Sequence, residues 1–202
     1  MRHGVAPTEG GSTSTPLECA PGERLADHPA RFFARDTTRV ARALLGQLLV
    51  RKLDGRLRVG RIIETEAYLG PEDLACHTAR GRTPRNEAMF GPPGQSYVYF
   101  VYGMHHCFNV VTGEGEAVLI RALEPVAGLD GARTDGPARL CKALGIDRAL
   151  NAHPLSVAPL WVSPGAPVRR IEKGPRIGVD YAGRWATRPL RFWDPESIHV
   201  SR

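Results

Sequence analysis

The sequence predicts an α+β fold: one mixed domain with a curved, mostly antiparallel β-sheet and flanking short helices. Three observations carry this expectation. β-rich runs follow one another through tight-turn residues, which favours antiparallel pairing. Segments 36–46 and 136–145 carry helix punctuation and are short. A length of 202 residues with 42% hydrophobic and 24% charged content suits one domain with a sizeable core.

The elements follow in chain order. Residues 1–25 are rich in Gly, Pro, Ser, Thr and Glu, so they are expected to form a disordered tail, with the folded domain over 26–202. DTTRVARALLG (36–46) reads as a helix: Asp36 or Thr37 can cap it, Val40 and Leu44 share a face, and Gly46 can end it. QLLVRKLDGRLRVGRIIETEAY (47–68) reads as a hairpin around Asp54-Gly55, a type I′ turn signal. Simple alternation then puts Ile62, Glu64, Glu66 and Tyr68 on one face of the second strand.

Residues 70–95 have little periodicity and many Gly, Pro and Arg, which marks a long irregular segment of the functional kind. SYVYFVYGMHHCFNVVT (96–112) reads as two strands around Gly103-Met104. EAVLIRALEP (116–125) adds a third beyond the Gly113-Glu114-Gly115 turn. GPARLCKALG (136–145) has Pro137 at the first helical position, Leu140 and Leu144 four apart, and Gly145 as a stop. The C-terminal part mixes strands and turns, and there are no internal repeats.

Charge and cysteine usage narrow the function classes. The net charge is +6, and residues 1–25 carry two arginines against three glutamates, so the excess lies on the domain. Such a balance favours a polyanionic partner, nucleic acid above all. Cys19, Cys76, Cys107 and Cys141 are widely spaced with no C-x-x-C, so neither a disulfide framework nor a zinc site is expected. No apolar run reaches the roughly 18 residues of a membrane span, and no secretory pattern opens the chain.

One constellation offers chemistry. Glu66 and Tyr68 share a predicted strand face; His77, Tyr97, Tyr99, Tyr102, Asn109 and Arg121 follow, and a curved sheet could gather them. A carboxylate can activate water as a general base. Aromatic faces can sandwich a planar ring, a cationic one more tightly. An aromatic beside a Gly at a hairpin tip can wedge between base pairs. With a basic surface, this describes an enzyme that extracts a nucleobase from a duplex and hydrolyses its glycosidic bond.

The motifs RIIETEAYLGPEDLACH, TPRNEAMFGPPGQSYVYFVYGMHHCFNVV, LIRALEP, GPARLCKALGI and RIGVDYAGRWATRPLRF resemble the alkyladenine (3-methyladenine) DNA glycosylase family, the branch with the mammalian alkylpurine enzyme. The likeness runs from about residue 28 to about 195. It implies Glu66 as the general base and Arg121 as its neighbour at the water. It also implies Tyr68, His77 and Tyr99 as walls stacking on the flipped base, Tyr102 as the wedge, and Asn109 as the gate against guanine. The resemblance further implies a monomer that acts without cofactor or metal on double-stranded DNA containing damaged purines. Its place would be the cytoplasm, or the nucleus in a eukaryote.

Other readings of the same residues stay open. Glu64 could pair with Glu66 as in two-acid glycosidases, or be structural. His105, His106 and Cys107 could tempt a metal assignment, although adjacent strand residues point to opposite faces. The helix over 136–145 could present its N-terminus to a phosphate or simply pack. A non-catalytic duplex binder of the same fold and a hydrolase of free nucleosides are the competing classes.

Overall fold

The computed structural model describes residues 28–101 and 103–201; the predicted tail over 1–25 lies outside them. Asp54 and Gly55 both take positive φ (51° and 74°), which matches the right-handed twist of the strands they join. They connect β1 (Leu48–Leu53) to β2 (Arg56–Tyr68). β3 (Ser96–Val101), β4 (His105–Gly113) and β5 (Glu116–Ala127) follow as predicted. Short strands β6 (Ser156–Val157), β7 (Leu160–Ser163), β8 (Glu172–Gly174) and β9 (Arg191–Trp193) complete a nine-stranded sheet. Its order is β3-β4-β5-β2-β1-β7-β6, every pairing is antiparallel, and the sheet curls into a half-barrel.

β2 is shared between neighbours. β5 runs along one edge from Val59 to Tyr68. On the other edge β1 pairs with its first half, and β9 pairs with Glu64, Thr65 and Glu66. Of three register shifts against β5, at Val59/Gly60, around Ile63 and at Glu64/Thr65, the last two interrupt the alternation between Ile62 and Glu66. This corrects the sequence expectation for Ile62. It does not share the face of Glu64 and Glu66 but lies in the main core with Ala67. Thr65 sits on that core side too, and its hydroxyl donates to the Ala41 carbonyl at 2.9 Å.

Helices cover the core face. α1 (Ala30–Phe33) is one turn that sequence punctuation did not reveal. In α2 (Thr37–Leu44) the Asp36 carboxylate accepts from the Arg39 amide at 2.9 Å, a cap worth about 1 kcal/mol. Thr37, Val40, Ala41 and Leu44 form its buried stripe. α3 (Pro137–Leu144) starts on its proline and ends on Gly145 in the left-handed region (φ 61°). Val98, Phe108, Val110, Val118 and Ile120 meet these helices in the main core. Each large side chain so buried contributes roughly 1.5–3 kcal/mol.

The opposite face belongs to a second cluster. Cys76, Met89, Tyr97, Val111 and Ala117 pack there beneath the irregular 70–95 segment, with Tyr68, Phe90 and Tyr99 against them. That segment holds two 3-10 turns, His77–Arg80 and Glu87–Phe90. Strand periodicity thus sorts β3, β4 and β5 as far as Arg121: even-numbered residues face the helices and odd-numbered ones the second cluster, while Leu123 further along β5 lies in the main core.

Candidate active site

On that second face a cavity of about 250 Å³ opens among Tyr68, His77, Tyr97, Tyr99, Asn109 and Arg121. Ile177 and Gly178 close one side, and Tyr181, 73% exposed, stands on the rim. An adjoining groove of about 570 Å³ shares His77, Tyr97 and Tyr181 with it and carries Arg80 and Arg85. The cavity mouth therefore adjoins a cationic surface.

Three rings are locked together by contacts. His77 Nδ1 lies 2.8 Å from the Tyr97 hydroxyl. The His77 ring meets Tyr99 edge-on, at 4.4 Å between centroids and 77°. Burial first, then the nearby Arg85, holds the His77 imidazole below its ordinary value, so it is neutral near pH 7. Burial pushes the Tyr97 and Tyr99 phenols up, which keeps both rings neutral. Asn109 is buried, and its amide nitrogen donates to the Tyr97 carbonyl at 3.0 Å. Cross-strand register pairs Asn109 with Tyr97 and Cys107 with Tyr99, so the cavity lining is a product of β3–β4 pairing.

Glu66 does not itself line the cavity. It is fully buried directly behind three residues that do. Its Oε1 accepts from the Ile177 amide at 2.8 Å and lies 3.3 Å from Arg121 Nη1. Its Oε2 accepts from the Tyr68 hydroxyl at 2.9 Å. Burial is the largest influence on this carboxyl and raises its pKa. Arg121, the Ile177 amide and the Tyr68 hydroxyl oppose the rise, and Glu64 adds to it. The group is a stronger base than an ordinary surface carboxylate.

Glu64 is also fully buried, and its partners are structural in kind. Arg191 Nε reaches Oε1 at 2.6 Å, and the Ser201 hydroxyl donates to it at 2.9 Å. The Ser201 amide donates to Oε2 at 2.7 Å. Arg121 bridges the two acids, with Nε 3.3 Å from Glu64 and Nη1 3.3 Å from Glu66. Beside them, Arg176 forks onto Asp73, both fully buried as side chains, and donates to the Ala67 carbonyl at 2.9 Å. The Arg176 guanidinium also lies 4.6 Å over the Tyr68 ring, so it covers that ring. Glu64, Glu66 and Asp73 thus stand against Arg121, Arg176 and the half-buried Arg191, a charge-balanced cluster.

The structure brings Tyr68, His77, Tyr99, Asn109 and Arg121 together around one cavity, with Glu66 buried behind its wall. Tyr102 lies outside the described residues. Its flanking hairpin tip has Gly103 at φ 68° and Met104 at 69% exposure. Sequence reasoning gave no role to Asp73, Arg176, Ile177, Arg191 or Ser201. Their partners lie more than 100 residues away in sequence, where periodicity carries no signal. Among the described residues, no group of three or more His, Cys, Asp or Glu side chains could hold a metal ion, and no helix is long and apolar enough to cross a membrane.

Fold and site define a protein with a ring-lined pocket on a curled antiparallel sheet and a buried acid behind its wall. A family model described as methylpurine-DNA glycosylase (MPG) matches residues 31–198. Among its relatives are three that each carry the name "Putative 3-methyladenine DNA glycosylase". That from Myxococcus xanthus is 60% identical over 180 residues, covering 86% of this chain and 93% of the relative. That from Anaeromyxobacter dehalogenans (strain 2CP-C) is 52% identical over 179 residues, covering 86% of each. That from Legionella pneumophila (strain Corby) is 48% identical over 180 residues, covering 86% and 97%. The chain belongs to the methylpurine-DNA glycosylase family, whose members are DNA-repair hydrolases acting on DNA.

Proposed function

We propose that this protein is a monofunctional DNA glycosylase. It draws damaged purines, alkylated or deaminated, out of duplex DNA and hydrolyses their N-glycosidic bond, leaving an abasic site. The observation that carries this reading is the Glu66 carboxylate fixed by three groups, Tyr68, Arg121 and Ile177, that themselves line the ring-walled cavity.

A carboxylate offers about four acceptor positions. Among the described residues Oε1 is engaged twice and Oε2 once, so Oε2 keeps a position for a water proton. In the reaction, the water oxygen bonds to the sugar C1′ as the C1′–N bond breaks. The bond's electron pair leaves with the purine, and the water proton passes to Glu66. A purine alkylated at a ring nitrogen such as N3 or N7 carries positive charge, so it departs as a neutral base without a protein acid; a deaminated purine is neutral, and its leaving base takes a proton from solvent water. Arg121 holds Glu66 ionised and aimed.

The walls select the base. Tyr68, His77 and Tyr99 present uncharged rings that stack on a planar cation. Asn109, immobilised by the Tyr97 carbonyl, stands where the exocyclic amine of guanine collides. Tyr102 fills the gap left by the extruded nucleotide. Lys52, Lys142 and Lys173 are absent from the cavity lining, which favours simple hydrolysis over Schiff-base chemistry. The enzyme acts as a monomer without a cofactor.

The competing reading, a duplex binder without catalysis, draws on the same buried ion pairs, which a purely structural cluster would also contain. Abasic-site formation in alkylated and hypoxanthine-containing duplexes, with free nucleosides as control, separates the two. Glu66→Gln keeps duplex binding and loses base release. Retained excision by that variant would remove Glu66 from the chemistry.

A further inference from the structure

The contacts of Glu64 exceed what charge neutrality alone asks of a buried acid. Arg191 already supplies a counter-charge at 2.6 Å, yet Ser201 adds two more donors, its amide at 2.7 Å and its hydroxyl at 2.9 Å. Ser201 Oγ also accepts from Arg121 Nε at 3.3 Å, and the Arg191 guanidinium donates to the Ser201 carbonyl at 3.2 Å. Ser201 is 5% exposed, so these bonds form in a dry setting where each counts heavily. With Glu64 so fully answered, Arg121 stands equally far, 3.3 Å, from both carboxylates.

We infer that Ser201 and Glu64 are positioning residues for Arg121. Ser201 satisfies Glu64 so that Arg121 is shared with Glu66 rather than captured by Glu64. The inference rests on the proposed role of Glu66 as base and extends it to a residue 137 positions from Glu64 in sequence. Without the Ser201 donors, Glu64 has Arg191 alone within 3 Å and draws the Arg121 guanidinium toward itself. Glu66 then loses part of its counter-charge and holds its proton more tightly.

Every charged or titratable group around Glu66 enters this balance. Glu64 and Tyr68 come from β2, Arg121 from β5 and Arg191 from β9. Arg176 and Asp73 come from the loops that pack on Tyr68, and Tyr99 and Cys107 from β3 and β4. Ser201 is uncharged, so its removal alters the sharing of Arg121 without changing the net charge of the cluster.

The test compares the full chain with Ser201→Ala and Ser201→Thr, reading single-turnover excision against pH and duplex affinity in parallel. Expected is an acidic limb displaced to higher pH in Ser201→Ala. Below the limb, each pH unit of displacement is a roughly tenfold loss of rate. Plateau rate and affinity stay within about twofold, and Ser201→Thr, which keeps the hydroxyl, restores the limb. An unmoved limb overturns the inference. So does a loss of rate and affinity that is equal at every pH and is not restored by threonine, because that is the mark of a brace. Glu66→Gln in the same series keeps the two claims apart: if it still excises, the base assignment fails, whatever Ser201 does.

Discussion

Arg176→Met tests the buried support of the cavity wall. The arginine forks onto Asp73, donates to the Ala67 carbonyl and covers the Tyr68 ring. Methionine keeps much of its length and loses the charge. Removing one member of a buried ion pair costs about 3–5 kcal/mol, because the other charge stays in the interior unanswered. Asp73 is not wholly abandoned, since the Leu69 and Ala75 amides still donate to it at 3.1 Å each. Loss of the contact over Tyr68 adds about 1 kcal/mol. The expected cost is about 4 kcal/mol, against the 5–15 kcal/mol of an ordinary domain, so the variant folds but weakly. In urea, with a slope of about 2 kcal/mol per molar, the unfolding midpoint falls by about 2 M. Asp73→Asn in the Arg176→Met background removes the stranded charge and recovers at least about 1 kcal/mol relative to additivity. A midpoint lowered by less than about 0.5 M, or strictly additive single changes, would refute the claim that this pair holds the wall as a buried unit.

Tyr68→Phe keeps the ring and removes the hydroxyl that donates to Glu66. That hydrogen bond lowers the carboxyl's proton affinity against burial. Its loss therefore moves the acidic limb of excision to higher pH while duplex affinity stays within about twofold; an unmoved limb would mean the phenol does not tune the base. His77 predicts a pH effect on stability of definite sign. Its imidazole is held below the ordinary 6.5 by burial. Between that value and its folded one the unfolded chain binds more protons, so unfolding free energy falls as pH drops through 6.5. His77→Asn should flatten that slope in urea titrations at pH 7 and pH 5, and a slope left unchanged would show that the ring is already solvated.

Much of the fold was legible because its signals are local. Asp54-Gly55 fixed the first hairpin, and Pro137 and Gly145 bracketed α3. Alternation put Tyr97 and Tyr99 on one face, and the cavity they line also takes in Asn109 and Arg121, which the sequence placed only on neighbouring strands. The same periodicity misled at Ile62, because a bulge is an extra residue that no alternation can announce. Glu66, Arg121 and the rings were recognisable through chemistry and family likeness. The partners that set their properties were not. Arg176, Arg191 and Ser201 reach the site by long-range pairing, and each looks in sequence like an ordinary polar residue of an irregular C-terminal stretch.

β2 receives its second edge partner only when β9 arrives from far downstream, at Glu64, Thr65 and Glu66. A chain emerging from the ribosome can thus form the β1–β2 hairpin early, while the acid it carries waits for Arg191 of β9, 127 residues after Glu64. Contacts closed over such sequence distances form slowly. A translation product stopping short of β9 would therefore harbour the acidic strand yet lack the edge that closes over Glu64, Thr65 and Glu66.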